Sequence, residues 1–262
     1  MPHLTVTIED QVATIIFSNP PLQVMTPTTL DELNALMPRL REDDVRAVVL
    51  GGSDAKYFIR HFSVEEINAN ASGGGNNWDL NDVHNLFLEI EHLPKPVITA
   101  LTGSAMGGGL ELALATDIRV AKDGPFRYGL PEISIGILPG GGGTQRLTAL
   151  VGRSRAMDIM LRPRLVSPAQ ALQYGLIEEL VPEDASETAL DRAQSIARSI
   201  ATRPRMAVAH IKRLVRQAVS PVSKDMLALE ARLYDELMHT PEAQELLKAI
   251  AEVHRKEREE SA

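Results

Sequence analysis

The chain has 262 residues, enough for one large domain or two small ones with a sizeable core. Its 27 Lys and Arg against 35 Asp and Glu give a formal charge of −8, which supplies no footprint for general nucleic-acid binding. The absence of cysteine excludes disulfides, thiolate metal sites and cysteine nucleophiles, and no apolar run approaches the ~20 residues of a membrane span. Met1 to Asp10 lacks the basic start and apolar stretch of a secretory signal, so a cytoplasmic protein is expected.

Leu4, Val6 and Ile8 alternate with Thr5, Thr7 and Glu9, the pattern of a strand with one wet face. Asp10-Gln11 turns the chain into a second strand, Val12–Phe17. Thr26-Pro27 supplies a cap and a first-turn proline for a helix with the stripe Leu30, Leu33, Leu36, Met37 and Leu40, with Pro38 as a point for a kink. Val45–Leu50 reads as a buried strand stopped by Gly51-Gly52. Residues 70–78 are turn-rich and expected to form a mobile surface loop. Asp79 can cap a helix carrying Val83, Leu86, Phe87, Ile90 and Leu93, ended by Pro94 and Pro96.

Val97–Leu101 and Ile118–Ala121 are further strands, with a helix over Leu110–Ala115 between them. Residues 144–150, 153–161 and 167–174 read as short helices and Ile177–Val181 as a late strand. From Ala185 the pattern is helical only, with stripes at Leu190, Ala193, Ile196, Ala197 and Ile200, at Val208, Ile211, Leu214 and Val215, at Leu229, Leu233 and Leu237, and at Leu246, Ile250 and Val253. The charged last ten residues read as a fraying end. Arg203, Arg205, Lys212, Arg213 and Arg216 form a basic run, either a solvated helix face or a place for a phosphate. The organisation is a mixed β/α body over 1–182 and a helical region over 183–262.

Three stretches are denser in glycine than packing requires. Gly103–Glu111 sits at a strand-to-helix junction, where free N–H groups at the positive helix end can hold an anion or an enolate-like oxygen, or simply form a tight turn. Tyr128-Gly129-Leu130-Pro131-Glu132 ends in an acid that could begin a helix. Glu111 and Glu132 are therefore a candidate carboxylate pair for acid and base work, and burial together would raise at least one pKa. Gly136–Arg146 fits neither a phosphate-binding loop nor a dinucleotide fingerprint. The seven histidines show no i, i+4 pair, so no metal site is expected, and no serine sits in a nucleophile elbow.

With Lys95-Pro96-Val97-Ile98, Gly103–Glu111, Asp117-Ile118, Tyr128–Glu132 and Gly136–Leu147 in this order, the sequence resembles the crotonase superfamily, the enoyl-CoA hydratase/isomerase group. The resemblance implies an α/β fold, a spiral of ββα turns with a helical C-terminal trimerisation region, and homotrimers or dimers of trimers. It implies an acyl-CoA thioester as substrate, with coenzyme A entering as part of it and no separate cofactor, metal, nucleic-acid partner or membrane.

An oxyanion hole of the Phe62 and Gly108 amides is implied, with acyl-CoA contacts from Phe58, Ile59, Arg60, Ser63, Val64 and Gly107. Glu111 would activate water and Glu132 would handle the proton at the α-carbon, adding water syn across a 2-enoyl double bond. Tyr57–Ser63 departs from the family's A-F-x-A-G-A-D by placing His61 where glycine is usual and Phe62 at the donor. Their side chains would narrow the acyl pocket, and Arg60 would meet a phosphate or an acidic acyl group, or else solvent. That departure keeps two other readings open: isomerisation, C–C hydrolysis or decarboxylation through the same enolate, or a non-catalytic acyl-CoA binder.

Overall fold

The computed structural model describes residues 2–73, 78–218 and 223–260. Strands β1 (Leu4–Glu9) and β2 (Val12–Phe17) form the expected hairpin. Asp10 and Gln11 both take positive φ, 50° and 64°, as a two-residue hairpin turn requires. Helix α1 (Pro27–Arg41) starts on a capping box between Thr26 and Thr29 and runs on through Pro38. Lys95 closes its other end, donating to the carbonyls of Leu40 (2.7 Å) and Glu42 (2.5 Å).

From there the chain repeats a ββα turn three times. The pairs β3 (Ala47–Gly52) with β4 (Tyr57–Ile59), β5 (Val97–Leu101) with β6 (Ser104–Met106), and β7 (Ile118–Lys122) with β8 (Tyr128–Gly129) each give one strand to each of two sheets. The first turn carries α2 (Val64–Ala71) and α3 (Leu80–His92), the second α4 (Gly107–Leu114), and the third a 3₁₀ turn at Glu132–Ile135 followed by α5 (Gly143–Val151). Helices α6 (Arg153–Leu161) and α7 (Pro168–Tyr174) lead to β9 (Glu179–Val181), and α8 (Ala189–Ala201), α9 (Arg205–Ala218), α10 (Lys224–Met238) and α11 (Pro241–Glu260) complete the chain. The larger sheet runs β1-β2-β3-β5-β7-β9, parallel from β2 onward, and the smaller is a parallel β4-β6-β8. This is a ββα spiral with a helical C-terminal region.

The larger sheet is covered on both faces, which is why β3 and β5 read as continuous apolar runs. Val48, Leu50, Val97 and Leu101 pack with Leu33, Met37, Phe87 and Ile90 of α1 and α3. Their neighbours Val49, Ile98, Ala100 and Val120 face Ala189, Ala193, Ala197 and Ala201 of α8. Gly51-Gly52, expected to stop β3, lie inside it. A Cβ on Gly52 would come within 2.5 Å of the Phe58 carbonyl oxygen, so the close approach of β4 demands glycine there.

The C-terminal helices depart further from the pattern. α10 buries Leu227, Glu230, Tyr234 and Met238, whereas Leu229 and Leu233 of the expected stripe face outward. On α9, Ile211, Leu214 and Val215 are exposed, while Lys212 and Arg216 reach Asp117 at 2.6 and 2.9 Å and so are not a wholly solvated face. Of the charged last ten residues, 261–262 lie outside the described residues, and the rest continue α11 to Glu260, tied by Arg60 to Glu257 and Arg258 to Glu65, both at 2.7 Å. Of the turn-rich stretch 70–78, residues 74–77 lie outside the described residues. Among the described residues no helix is long and apolar enough to cross a membrane.

Candidate active site

Strand β6 runs directly into α4, whose N-cap residue Met106 supplies no side-chain cap. Gly107 (φ 49°) makes the bend, and the Gly108 N–H in the first turn has no intrahelical acceptor and carries the positive end of the helix dipole. Phe62 follows β4 and bridges to Met25. In that bridge the Met25 N–H donates to the His61 carbonyl (2.9 Å) and the Ser63 N–H to the Met25 carbonyl (2.8 Å). These bonds turn the Phe62 N–H the other way, toward α4. A Cβ added to Gly108 would lie 3.5 Å from the Phe62 nitrogen, so the two residues approach each other closely.

Both residues line a cavity of about 200 Å³, and so do Glu111 and Glu132. The two acids, on separate elements, therefore meet at one place. The remaining walls are largely apolar, built by Val64, Ile67, Trp78, Phe87, Ile137, Tyr234 and Ile250 among others. Glu111 lies one turn into α4, on the side of Gly108. Its Oε1 accepts the N–H groups of Gly141 and Gly143, each at 2.8 Å. A Cβ on Gly143 would sit 2.6 Å from that oxygen, so the second glycine run is where the backbone closes on a carboxylate.

Glu132 opens a 3₁₀ turn instead of an α-helix. Its Oε2 is buried with no hydrogen-bond partner among the described residues. Burial, reinforced by the charges of neighbouring acids, raises both carboxyl pKa values. For Glu111 the rise is opposed by the Gly143 and Gly141 amides and by Arg146. Glu132 has no such support from outside its own backbone and is raised well above the ordinary range. The arrangement holds a proton more firmly on Glu132 than on Glu111.

The other residues singled out from sequence divide. Val64 and Gly107 line the cavity. Phe58 does not: it is buried in the core, edge-on to Phe17 at 5.7 Å. Ile59 packs behind Gly109, Ser63 caps α2 by accepting the Glu66 N–H (3.3 Å), and Arg60 is turned to Glu257. His61 does reach the cavity and stacks on His254 of α11 with ring centroids 5.0 Å apart. Burial lowers the His61 pKa to about 4, so this ring is neutral near pH 7.

Sequence reasoning missed the contribution of α10 and α11. Tyr234, Ile250 and His254 line the cavity, and Glu230 lies behind the glycine run, only 5 % exposed. The signal was present: Glu230 falls at helical spacing within the buried series Leu227, Tyr234 and Met238, where an acid is out of place unless it is paired.

The family model described as Enoyl-CoA hydratase/isomerase matches residues 7–260. A short-chain-enoyl-CoA hydratase of Clostridium acetobutylicum is 31 % identical over 246 residues, covering 93 % of this chain and 92 % of that protein. Among solved structures, an enoyl-CoA hydratase from Mycobacterium avium subsp. paratuberculosis K-10 superposes with a TM-score of 0.83 at 26 % identity, covering 95 % of this chain and 98 % of that one. One from Bacillus anthracis gives 0.75 at 29 % identity, with 95 % and 96 % covered. The match spans the ββα turns, both glycine-rich loops and the C-terminal helices alike, and so the chain belongs to the enoyl-CoA hydratase/isomerase family.

Proposed function

We propose that this protein is a lyase that adds water syn across the 2,3 double bond of a 2-enoyl-CoA, or removes it from the 3-hydroxy product. The observation that carries the reading is the meeting of two acids at one largely apolar cavity that Phe62 and Gly108 also line. The acyl chain lies along the apolar walls, and the thioester oxygen accepts from the Phe62 and Gly108 amides. Ionised Glu111 takes a proton from water as the water oxygen bonds to C3. The π electrons move to the thioester oxygen as an enolate, and protonated Glu132 delivers its proton to C2 as the carbonyl re-forms. The proton left on Glu111 returns to Glu132 through solvent before the next turnover.

Each amide of an oxyanion hole is typically worth about 3 kcal/mol of transition-state stabilisation. Both acids are needed because one must accept a proton while the other gives one. Coenzyme A enters as part of the substrate, and no further cofactor is invoked. The same reading carries a cytoplasmic homotrimer or dimer of trimers as the working form. The test is to mix the protein with crotonyl-CoA and longer 2-enoyl-CoA thioesters and follow loss of the enoyl absorbance and the product mass. Product heavier by one water, with Glu132→Gln lowering kcat by about 10³-fold or more, is the result expected. A product of unchanged mass would indicate isomerisation, and no turnover with any chain length would remove the proposal.

A further inference from the structure

Four consecutive residues of the 140–144 loop are held from alternate sides. The Gly141 and Gly143 amides point inward to Glu111 Oε1. The Gly142 amide between them points outward, donating to Glu230 Oε1 at 2.7 Å, and the Thr144 hydroxyl donates to Glu230 Oε2. His84, from α3, donates its Nε2–H to the Gly140 carbonyl at 2.6 Å and stands 3.3 Å from Glu230 Oε1. Arg146 donates to the Gly141 carbonyl at 2.8 Å while paired with Glu91. Gly142 takes a left-handed φ of 83° as the N-cap of α5, and in that bend its amide is turned to Glu230 while the amides on either side of it reach Glu111.

We propose that Glu230, on α10, is a positioning residue of this site: it holds the outer face of the glycine loop so that the inner face presents two amides to Glu111. The proposal rests on the reading of Glu111 as the base of a hydration. A buried carboxylate in an apolar helix face is costly unless its lone pairs are filled, and here they are filled by this loop alone apart from His84. Glu230 never touches the cavity, so it acts through Glu111. The groups that face Glu111 are Glu230 and Tyr234 from α10, Glu132 from the 3₁₀ turn and Arg146 from α5. Glu230→Gln keeps an acceptor for the Gly142 amide and withdraws a like charge, which eases ionisation of Glu111. Slackening the loop without a charge change works the other way, because the two amides favour the ionised form.

The experiment compares the full-length wild type, Glu230→Gln and Thr144→Val in 2-enoyl-CoA hydration across pH. In Glu230→Gln the acid limb of the kcat/KM profile is expected to move to lower pH, and kcat to fall about tenfold with KM within about twofold. Thr144→Val removes one hydrogen bond but no charge, so kcat should fall severalfold and the slackened amides should move the limb to higher pH. A folded Glu230→Gln with both kcat and the limb unchanged would overturn the proposal. Should that variant not fold, an unchanged kcat in Thr144→Val would do the same. A wild type that hydrates no thioester would remove the hydration reading alone. The positioning role would then be decided by carbon NMR of the glutamate carboxyls, where Glu111 should titrate lower in Glu230→Gln, and an unshifted Glu111 would overturn it.

Discussion

Glu132 carries an acid into a largely apolar cavity with nothing outside its own backbone to stabilise the charge, and that has a cost in stability. Because the folded protein holds protons on Glu132 and Glu111 that the unfolded chain would release, their contribution is fully present below the ordinary glutamate value of about 4.3 and is lost as pH rises through the raised folded values. Each unit of rise corresponds to about 1.4 kcal/mol. Glu132→Gln keeps the shape and cannot ionise. The variant is expected to melt a few degrees above wild type at about pH 8, with the gain shrinking toward about pH 5. Differential scanning calorimetry at the two pH values checks this, and a gain independent of pH would contradict it. In the proposed hydration the same substitution removes the proton donor, so activity and stability are expected to move in opposite directions.

At the scale of elements, the segment after β4 is pinned to the C-terminal helix at adjacent residues: Arg60 pairs with Glu257, and His61 stacks on His254. The ion pair is part-exposed, and such pairs contribute roughly 0.2–1 kcal/mol. Arg60→Ala is therefore expected to leave Tm nearly unchanged while speeding amide hydrogen exchange severalfold in the last two turns of α11. Unchanged exchange there would mean that helix packing alone holds α11.

Little of this junction was legible beforehand. The hairpin, α1, α3, α6 and α7 could be read from alternation, caps and prolines, because each is specified by its own residues. The pairing of Glu111 with Glu132 was visible only as two acids beside glycine turns. Strands of two or three residues such as β4, β6 and β8 have no period to detect, since their pairing comes from the neighbouring turns of the spiral. The apolar positions of α10 suggested Leu229 and Leu233 as its inner face. The side that turns inward carries Glu230 and Tyr234, because it must meet a glycine loop with unsatisfied amides.

For the whole molecule, the most conspicuous surface is on α9, where Ile211, Leu214 and Val215 are 62, 64 and 58 % exposed along one side of an amphipathic helix. A stripe of that kind is normally covered, and the proposed trimer would supply the cover. Leu214→Asp is expected to convert a trimer or hexamer to monomers in size-exclusion chromatography with light scattering. A monomeric wild type would remove the assembly from the proposal. The alanine face of α8 bears on how far the chain can be divided. Its methyl groups rest on the outer side of β3, β5 and β7, with Ala193 and Ala197 wholly enclosed, so the helix is the only lid that this side of the larger sheet has among the described residues. A fragment ending after Val181 would lay bare Val49, Ile98, Ala100 and Val120 together. Such a fragment should precipitate on expression, whereas one extended through Ala201 should keep that side dry.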